Sequence, residues 1–195
     1  MAGGPREAAQ CCCGFILGAL AIAGILVAAY GFVTPVRVTV DAASLGSLAL
    51  AAVSSPANGT TASFAYDVSL AVTVRNPNWA MCASLTAPLV AELRFRGHAF
   101  ARAQLAAGGG QDRIPAMRTA VYGMAGVAQS APVALGPRGA AAFARERAAG
   151  VFHLVLAVSG QVKYDGRRRR RAIKVTCPLR ISTSSTAAFA RVRCA

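Results

Sequence analysis

The sequence predicts a mainly β protein in which one N-terminal transmembrane helix precedes an antiparallel β-sandwich with one short helix. Three observations predict this fold class. Residues 11–33 form an uninterrupted apolar run, several later segments alternate apolar and polar residues, and one segment is rich in Ala, Arg and Glu. The chain that follows the apolar run is long enough for one domain and too short for two ordinary ones.

The composition excludes one class of protein and disfavours another. The chain has 195 residues, of which 55% are hydrophobic and 14% are charged, with 21 Lys and Arg against 7 Asp and Glu. Disorder requires low hydrophobicity, so a disordered polar tail is excluded. An average soluble domain is about 25% charged, which also disfavours a plain soluble domain.

The apolar run Cys11–Val33 contains 23 residues and no strongly polar side chain. As a helix it would measure about 34 Å, enough to cross a hydrocarbon core of about 30 Å. We therefore expect a cytosolic tail at 1–10, an uncleaved signal-anchor helix at 11–33 and a folded domain at 34–195. A cleaved signal peptide is the alternative, because Val27-Ala28-Ala29 offers the small residues that cleavage needs.

Two candidate modification sites accompany this topology. Cys11, Cys12 and Cys13 lie where the helix would enter from the cytosol, and juxtamembrane cysteines are common targets of palmitoylation. The alternative is that they are simply small apolar residues of the helix. Asn58 begins the only N-glycosylation sequon, in a loop rich in Ser, Pro, Gly and Thr. These features favour a cytosolic N-terminus and a C-terminal domain on the other side of the membrane.

Segments with a period of two predict the strands of the sandwich. They are 36–40, 64–74, a weaker pair within 89–100, 151–164 and 173–181. Pro178 lacks an amide proton, so the last of these strands should lie at an edge or contain a bulge. A further strand is expected at 187–194.

Between these strands the sequence predicts one helix and one long loop. Gly139–Ala149 is rich in Ala, Arg and Glu and is followed by Gly150, a typical C-terminal cap. Ala107–Pro132 shows no sustained period and is predicted to be a loop with at most a short strand near Val121.

The strongest candidate for a binding element is a run of five arginines that follows Asp165-Gly166. Asp-Gly between alternating segments is a hairpin-turn signal, so the five guanidinium groups should crowd onto an exposed loop. Such a patch would bind polyanions, and outside a cell the candidates are anionic wall polymers or lipid head groups. A solvated turn without a ligand is the alternative. Nucleic acid is disfavoured because no aromatic residues are interleaved for base stacking. The residues are Arg167, Arg168, Arg169, Arg170 and Arg171.

No motif indicates catalysis, a metal or a cofactor. His98 and His153 lack a nucleophile motif, and the acidic residues are scattered. Gly108-Gly109-Gly110 lacks the spacing of a phosphate-binding loop, and no Cys-x-x-Cys pair exists. We therefore predict a protein that is not an enzyme.

Several of these features together resemble a known plant family. A membrane span, a strand that ends in Val-Arg-Asn-Pro-Asn at 74–78, a basic hairpin that leads into Lys-Val-Thr-Cys-Pro-Leu at 174–179 and a late Cys are similar to the late-embryogenesis-abundant type 2 domain. They resemble most its membrane-anchored branch, the harpin-induced or non-race-specific-disease-resistance-like proteins. The resemblance covers residues 10–195, and Asn76, Pro77 and Asn78 are its most specific part. Family members usually continue with a basic and aromatic run, where this chain has Trp79-Ala80-Met81-Cys82.

The resemblance implies a fold, a disulfide and a cellular role. It implies a seven-stranded, immunoglobulin- or fibronectin-like β-sandwich with one helix, located outside the plasma membrane and without catalytic residues. Cysteines occur in the family at the places of Cys177 and Cys194, so we expect these two to pair and Cys82 to stay free.

The function that the resemblance implies is that of a non-enzymatic plant defence or stress-response protein. It would be anchored in the plasma membrane as a single-pass protein and act through protein or wall contacts at the cell surface. The alternative is a soluble or secreted stress-protective protein of the same family, released after signal cleavage.

Overall fold

A computed structural model describes residues 5–54, 60–133, 135–183 and 188–195, without the side chains of residues 5–14, 52–54, 60 and 61. Within these ranges the chain forms two antiparallel sheets and two helices. The helices are α1 (Pro5–Gly31) and α2 (Pro137–Ala149). The strands are β1 (Arg37–Ser54), β2 (Thr60–Arg75), β3 (Ala83–Phe95), β4 (His98–Ala106), β5 (Arg113–Ile114), β6 (Thr119–Val133), β7 (Val151–Tyr164), β8 (Arg170–Ser182) and β9 (Val192–Arg193).

The two sheets enclose one hydrophobic core. The first sheet has the order β6-β2-β1-β9, and the second has the order β4-β3-β7-β8 with β5 beside β3. Their inward positions supply the buried aliphatic and aromatic residues. Strand β2 illustrates the pattern, because Phe64, Leu70 and Val74 are buried on one face as the period of two predicts.

Helix α2 closes one end of the core. Its Phe143 ring lies 5.4 Å from the ring of Phe64, 5.9 Å from that of Phe95 and 5.3 Å from that of Phe152. Gly150 ends the helix at a φ of 67° and leads directly into β7. The helix is thus fixed by aromatic packing at the end of β7 that is opposite to the Arg167–Arg171 run.

The prediction of a transmembrane signal anchor at 11–33 is wrong. Helix α1 ends at Gly31, and its side chains are described from Phe15 onwards. In the part of the chain that the structure describes, no helix has both the length and the apolar content that a bilayer crossing requires. The fold class is corrected to mainly β with two antiparallel sheets and two helices.

The loop predicted for residues 107–132 is also wrong over most of its length. Strand β6 pairs with β2 from Thr119 to Val133 at the edge of the first sheet. Most of its described side chains are exposed or half-buried, and only Met124 and Val133 are buried. Because the strand buries so little on either face, its sequence has no strong period of two.

Strand β1 is much longer than the predicted segment 36–40, and two bulges explain the difference. Its register with β2 shifts between Val40 and Ala42 and again between Leu45 and Ser47. Each bulge inserts one residue and changes which face the following side chains occupy. Leu45 and Leu48 are therefore both buried although they are three residues apart.

The C-terminal segment bridges the open edge between the sheets. Strand β9 pairs with β1, where Val192 lies opposite Val40. Two residues after the end of β9, Ala195 exchanges backbone hydrogen bonds with Thr176 of β8 at 2.7 and 3.0 Å. Strand β8 lies at the end of its sheet, which is one of the two arrangements predicted from Pro178.

Candidate functional site

The Asn76-Pro77-Asn78 motif is a buried connector at the end of β2. Asn76 is fully buried, and its Nδ2 donates to the carbonyl oxygens of Met81 at 2.8 Å and Ile114 at 3.1 Å. Its Oδ1 accepts from the backbone N–H of Asn78 at 3.1 Å and from Asn78 Nδ2 at 2.9 Å. The motif therefore holds together the loops that follow β2 and β5.

Asn78 extends this network to the segment that follows α1. Its Nδ2 donates to the Thr34 carbonyl oxygen, and its Oδ1 accepts from the Thr34 backbone N–H, both at 2.8 Å. The backbone N–H of Val36 donates to Tyr164 Oη at 3.0 Å. Burial raises the pKa of Tyr164 above its usual value, although the Val36 hydrogen bond and the charge of Arg171 act in the opposite direction. The phenol is thus kept neutral at this junction.

The arginine run does not form one uniform exposed loop. Gly166 turns the chain at a φ of 74°, Arg167–Arg169 follow in the turn, and β8 begins at Arg170. Arg170 lies opposite Lys163 on the outer face of the second sheet. Arg171 lies opposite buried Val162 and so belongs to the other face.

Arg167 contacts the C-terminal end of α1, and Arg171 contacts the segment that follows it. Arg167 Nη2 donates to the carbonyl oxygens of Tyr30 and, at 2.9 Å, Gly31. Arg171 Nη1 donates to the Val33 carbonyl oxygen at 3.4 Å. The last carbonyls of a helix lack intrahelical partners and carry partial negative charge, so cations stabilise them. Arg167 therefore has a structural role at the helix end, and Arg171 fixes the segment that follows it.

Three arginines of the run, Arg167, Arg168 and Arg170, border an open groove of about 580 Å³, which we call the basic groove. Its walls carry five cationic side chains and one carboxylate, Asp165, which pairs with Arg113 at 2.7 Å. The lining residues are Ser84, Thr86, Gly110, Arg113, Lys163, Asp165, Gly166, Arg167, Arg168 and Arg170. The cations exceed the carboxylates, so the groove suits an anionic ligand.

Pairing between four strands places the residues of the groove floor side by side. Arg113 of β5 lies opposite Ser84 of β3, and Ser84 lies opposite Lys163 of β7. Lys163 in turn lies opposite Arg170 of β8. Residues directly opposite each other on one face have Cβ atoms about 5 Å apart. The sequence predicts only the arginine run as a binding element, since residues so far apart in the chain are brought together only by strand pairing.

Cys177 and Cys194 form a disulfide with a Cα–Cα distance of 4.3 Å, the pair that the family resemblance implies. Cys82 is half-buried and has no disulfide partner among the described residues. Asn58 and the side chains of Cys11, Cys12 and Cys13 lie outside the described residues.

The two histidines lie in different surroundings. His153 Nδ1 lies 3.6 Å from buried Glu146, whose Oε1 accepts from Arg96 at 2.7 Å and whose Oε2 accepts from the His153 backbone N–H at 2.7 Å. Glu146 thus ties α2 to the β3–β4 turn and to the start of β7. His98 is exposed in β4. Among the described residues, no group of three or more His, Cys, Asp or Glu side chains could hold a metal ion.

Comparison with known proteins gives no family assignment. No protein-family model matches the chain, and no curated protein matches it. A crystal structure of a protein from Archaeoglobus fulgidus is similar over 72% of this chain and 98% of its own, with 10% sequence identity and a TM-score of 0.35. A likeness this distant does not bear on function.

Proposed function

We propose that this protein is a non-enzymatic binding protein that recognises acidic polymers through the basic groove. The observation that carries the proposal is the cross-strand row in which Lys163 and Arg170 lie directly opposite each other. Like charges in this position destabilise a sheet. An anion bound between the two side chains would remove that repulsion, which is a physical reason for the arrangement.

The compartment that we propose for this activity lies outside the cytosol. A disulfide such as Cys177–Cys194 forms and persists in oxidising environments and is rare in cytosolic proteins. The resemblance to the plant late-embryogenesis-abundant type 2 domain supports the same location and adds a role in defence or stress responses. The polyanions available there are acidic polysaccharides of the wall.

The proposal predicts that the cations of the groove rim determine binding to an acidic polysaccharide. The triple variant Arg168→Gln, Arg169→Gln, Arg170→Gln removes two groove arginines and the arginine between them. It spares Arg167 and Arg171, which hydrogen-bond the chain between Tyr30 and Val33. We expect its affinity for polygalacturonate to fall about tenfold at 0.15 M salt, because each exposed charge contributes up to about 1 kcal/mol. Retention of the full chain on immobilised polygalacturonate, measured over a salt gradient, reports the change.

A matched variant separates a local effect from the loss of net charge. Arg138→Gln, Arg145→Gln, Arg147→Gln removes the same three charges from α2, at the opposite end of β7. We expect this control to elute close to the unsubstituted protein. Equal elution of both triple variants, or no retention of the unsubstituted protein at low salt, would contradict the proposed function.

A further inference from the structure

A small residue lies between two cations on the floor of the basic groove. Ser84 of β3 is flanked by Arg113 on one side and Lys163 on the other. Its neighbours Ala83 and Leu85 are fully buried, so Ser84 lies on the outer face of the sheet. A long side chain at this place would fill the space between the cations, whereas Ser leaves it open and adds a hydroxyl.

A second hydroxyl, that of Thr86, lines the groove without a partner. Thr86 Oγ1 is buried and has no hydrogen-bond partner among the described residues. The residue occupies a bulge, since the register of β3 with β7 shifts between Leu85 and Ala87. A buried polar atom without a partner costs free energy and needs an explanation. A ligand hydroxyl would supply one once the Thr86 side chain rotates toward the groove, because Oγ1 has no accessible surface in the rotamer described.

The neighbouring loop is packed tightly against the same bulge. The backbone N–H of Gly110 donates to the Leu85 carbonyl oxygen at 2.7 Å, and the Leu85 N–H donates to the Asp112 carbonyl oxygen at 2.9 Å. A Cβ atom on Gly108, whose φ is +77°, would lie 2.4 Å from the Ala87 carbonyl carbon. Only glycine fits there, so the loop forms a fixed wall beside Thr86.

These observations select one class of ligand among the polyanions. Every described residue that lines the groove is charged, hydroxylated or Gly. A lipid surface would favour apolar side chains beside the cations, and single-stranded nucleic acid would favour aromatic ones. A sugar acid matches better, because it carries a carboxylate for the cations and hydroxyls for Ser84 and Thr86.

We propose that the floor of the basic groove binds one uronate residue of a linear acidic polysaccharide. Lys163 and Arg170 bind its carboxylate, and Ser84 and Thr86 hydrogen-bond its ring hydroxyls. This assignment rests on the proposed function and adds to it a defined subsite and a ligand class. The arginines of the turn then contact neighbouring carboxylates of the same polymer.

The test uses the full chain with a galacturonate oligomer, the same oligomer with methyl-esterified carboxylates, and vesicles that contain phosphatidylserine. We expect Lys163→Gln to weaken binding of the free-acid oligomer about tenfold and Thr86→Val about fivefold, the ranges for a charged and a neutral hydrogen bond. The controls Lys174→Gln and Thr119→Val make the same chemical changes outside the groove and should bind like the unsubstituted protein. Thr86→Val should not lower the melting temperature, because it removes an unpartnered hydroxyl.

The outcomes separate the subsite from the broader function. If Lys163→Gln and Thr86→Val bind like their controls while the triple arginine variant loses retention, the subsite is overturned and the proposed function stands. If the esterified oligomer or the vesicles bind as tightly as the free-acid oligomer, the uronate assignment is overturned. If the unsubstituted protein binds no acidic polysaccharide, both proposals fail.

Discussion

The side-chain amide of Asn76 shows what one buried polar group does in this protein. It donates to carbonyl oxygens in two loops and accepts from Asn78, while the Asn76 backbone N–H donates to the Arg118 carbonyl oxygen at 2.9 Å. Pro77 follows and cannot donate to a strand neighbour, so β2 ends here. The motif is therefore a structural connector rather than a ligand site.

At this scale we predict that Asn76→Ala lowers the free energy of unfolding by about 3 kcal/mol, because several buried groups lose their partner at once. Chemical denaturation of the full chain measures the change. Gln129 is an exposed amide on β6, and Gln129→Ala should change the stability by less than about 0.5 kcal/mol. Similar stability losses in the two variants would show that the Asn76 network contributes little.

The C-terminal segment is held mainly by a disulfide and an ion pair, and only briefly by strand pairing. Strand β9 contains only two residues. A disulfide holds its end to β8, and Arg191 binds both carboxylate oxygens of Asp41 on β1 at 2.6 and 3.1 Å. The hydrogen bonds from Arg191 and Thr73 lower the pKa of Asp41 below its usual value. The segment is thus fixed to both sheets.

We expect Cys194→Ser to destabilise the protein by about 3 kcal/mol, since the disulfide closes a loop with a sequence separation of 17. This variant leaves buried Cys177 as a thiol and so creates no cavity in the core. The Thr176 and Ala195 amides should also exchange faster with solvent.

Denaturation and hydrogen exchange report these two effects, and Cys82→Ser is the matched control without a disulfide. Unchanged exchange at Thr176 in the Cys194→Ser protein would mean that backbone pairing alone holds the segment.

The whole molecule is organised around the junction between α1 and the second sheet. Tyr164 ends β7, Arg167 lies in the β7–β8 connection and Asn78 lies in the loop after β2. All three side chains hydrogen-bond the chain between Tyr30 and Val36. The same connection also supplies one rim of the basic groove. The β7–β8 connection therefore both contacts the end of α1 and lines the basic groove.

At the scale of the whole molecule, Arg167→Gln should loosen the C-terminal end of α1. The variant removes a cation from the unpaired carbonyls of Tyr30 and Gly31, which is worth about 1 kcal/mol. Backbone amides of the last helical turn should then exchange about fivefold faster. Hydrogen exchange of the full chain measures this, with Arg168→Gln as the control that leaves the helix end intact. Equal exchange in both variants would contradict the capping role.

The sequence by itself determined the parts of the fold that bury one face of a strand. Alternation within 64–74, 151–164 and 173–181 located β2, β7 and β8, because each of these strands packs one face on the core. The helix at 137–149 was located by its composition and the glycine that follows it. Both signals are local, so neighbouring residues are enough to reveal them.

Only the tertiary structure decided the position of β6, the buried face of β1 and the composition of the basic groove. Strand β6 lies at a sheet edge with little burial, and the bulges of β1 change the phase of its buried face, so neither leaves a period in the sequence. The apolar run at 11–33 suggested a membrane helix by composition, which the described helix does not support. The basic groove joins Ser84, Arg113, Lys163 and Arg170 through strand register, and register depends on pairing between distant segments.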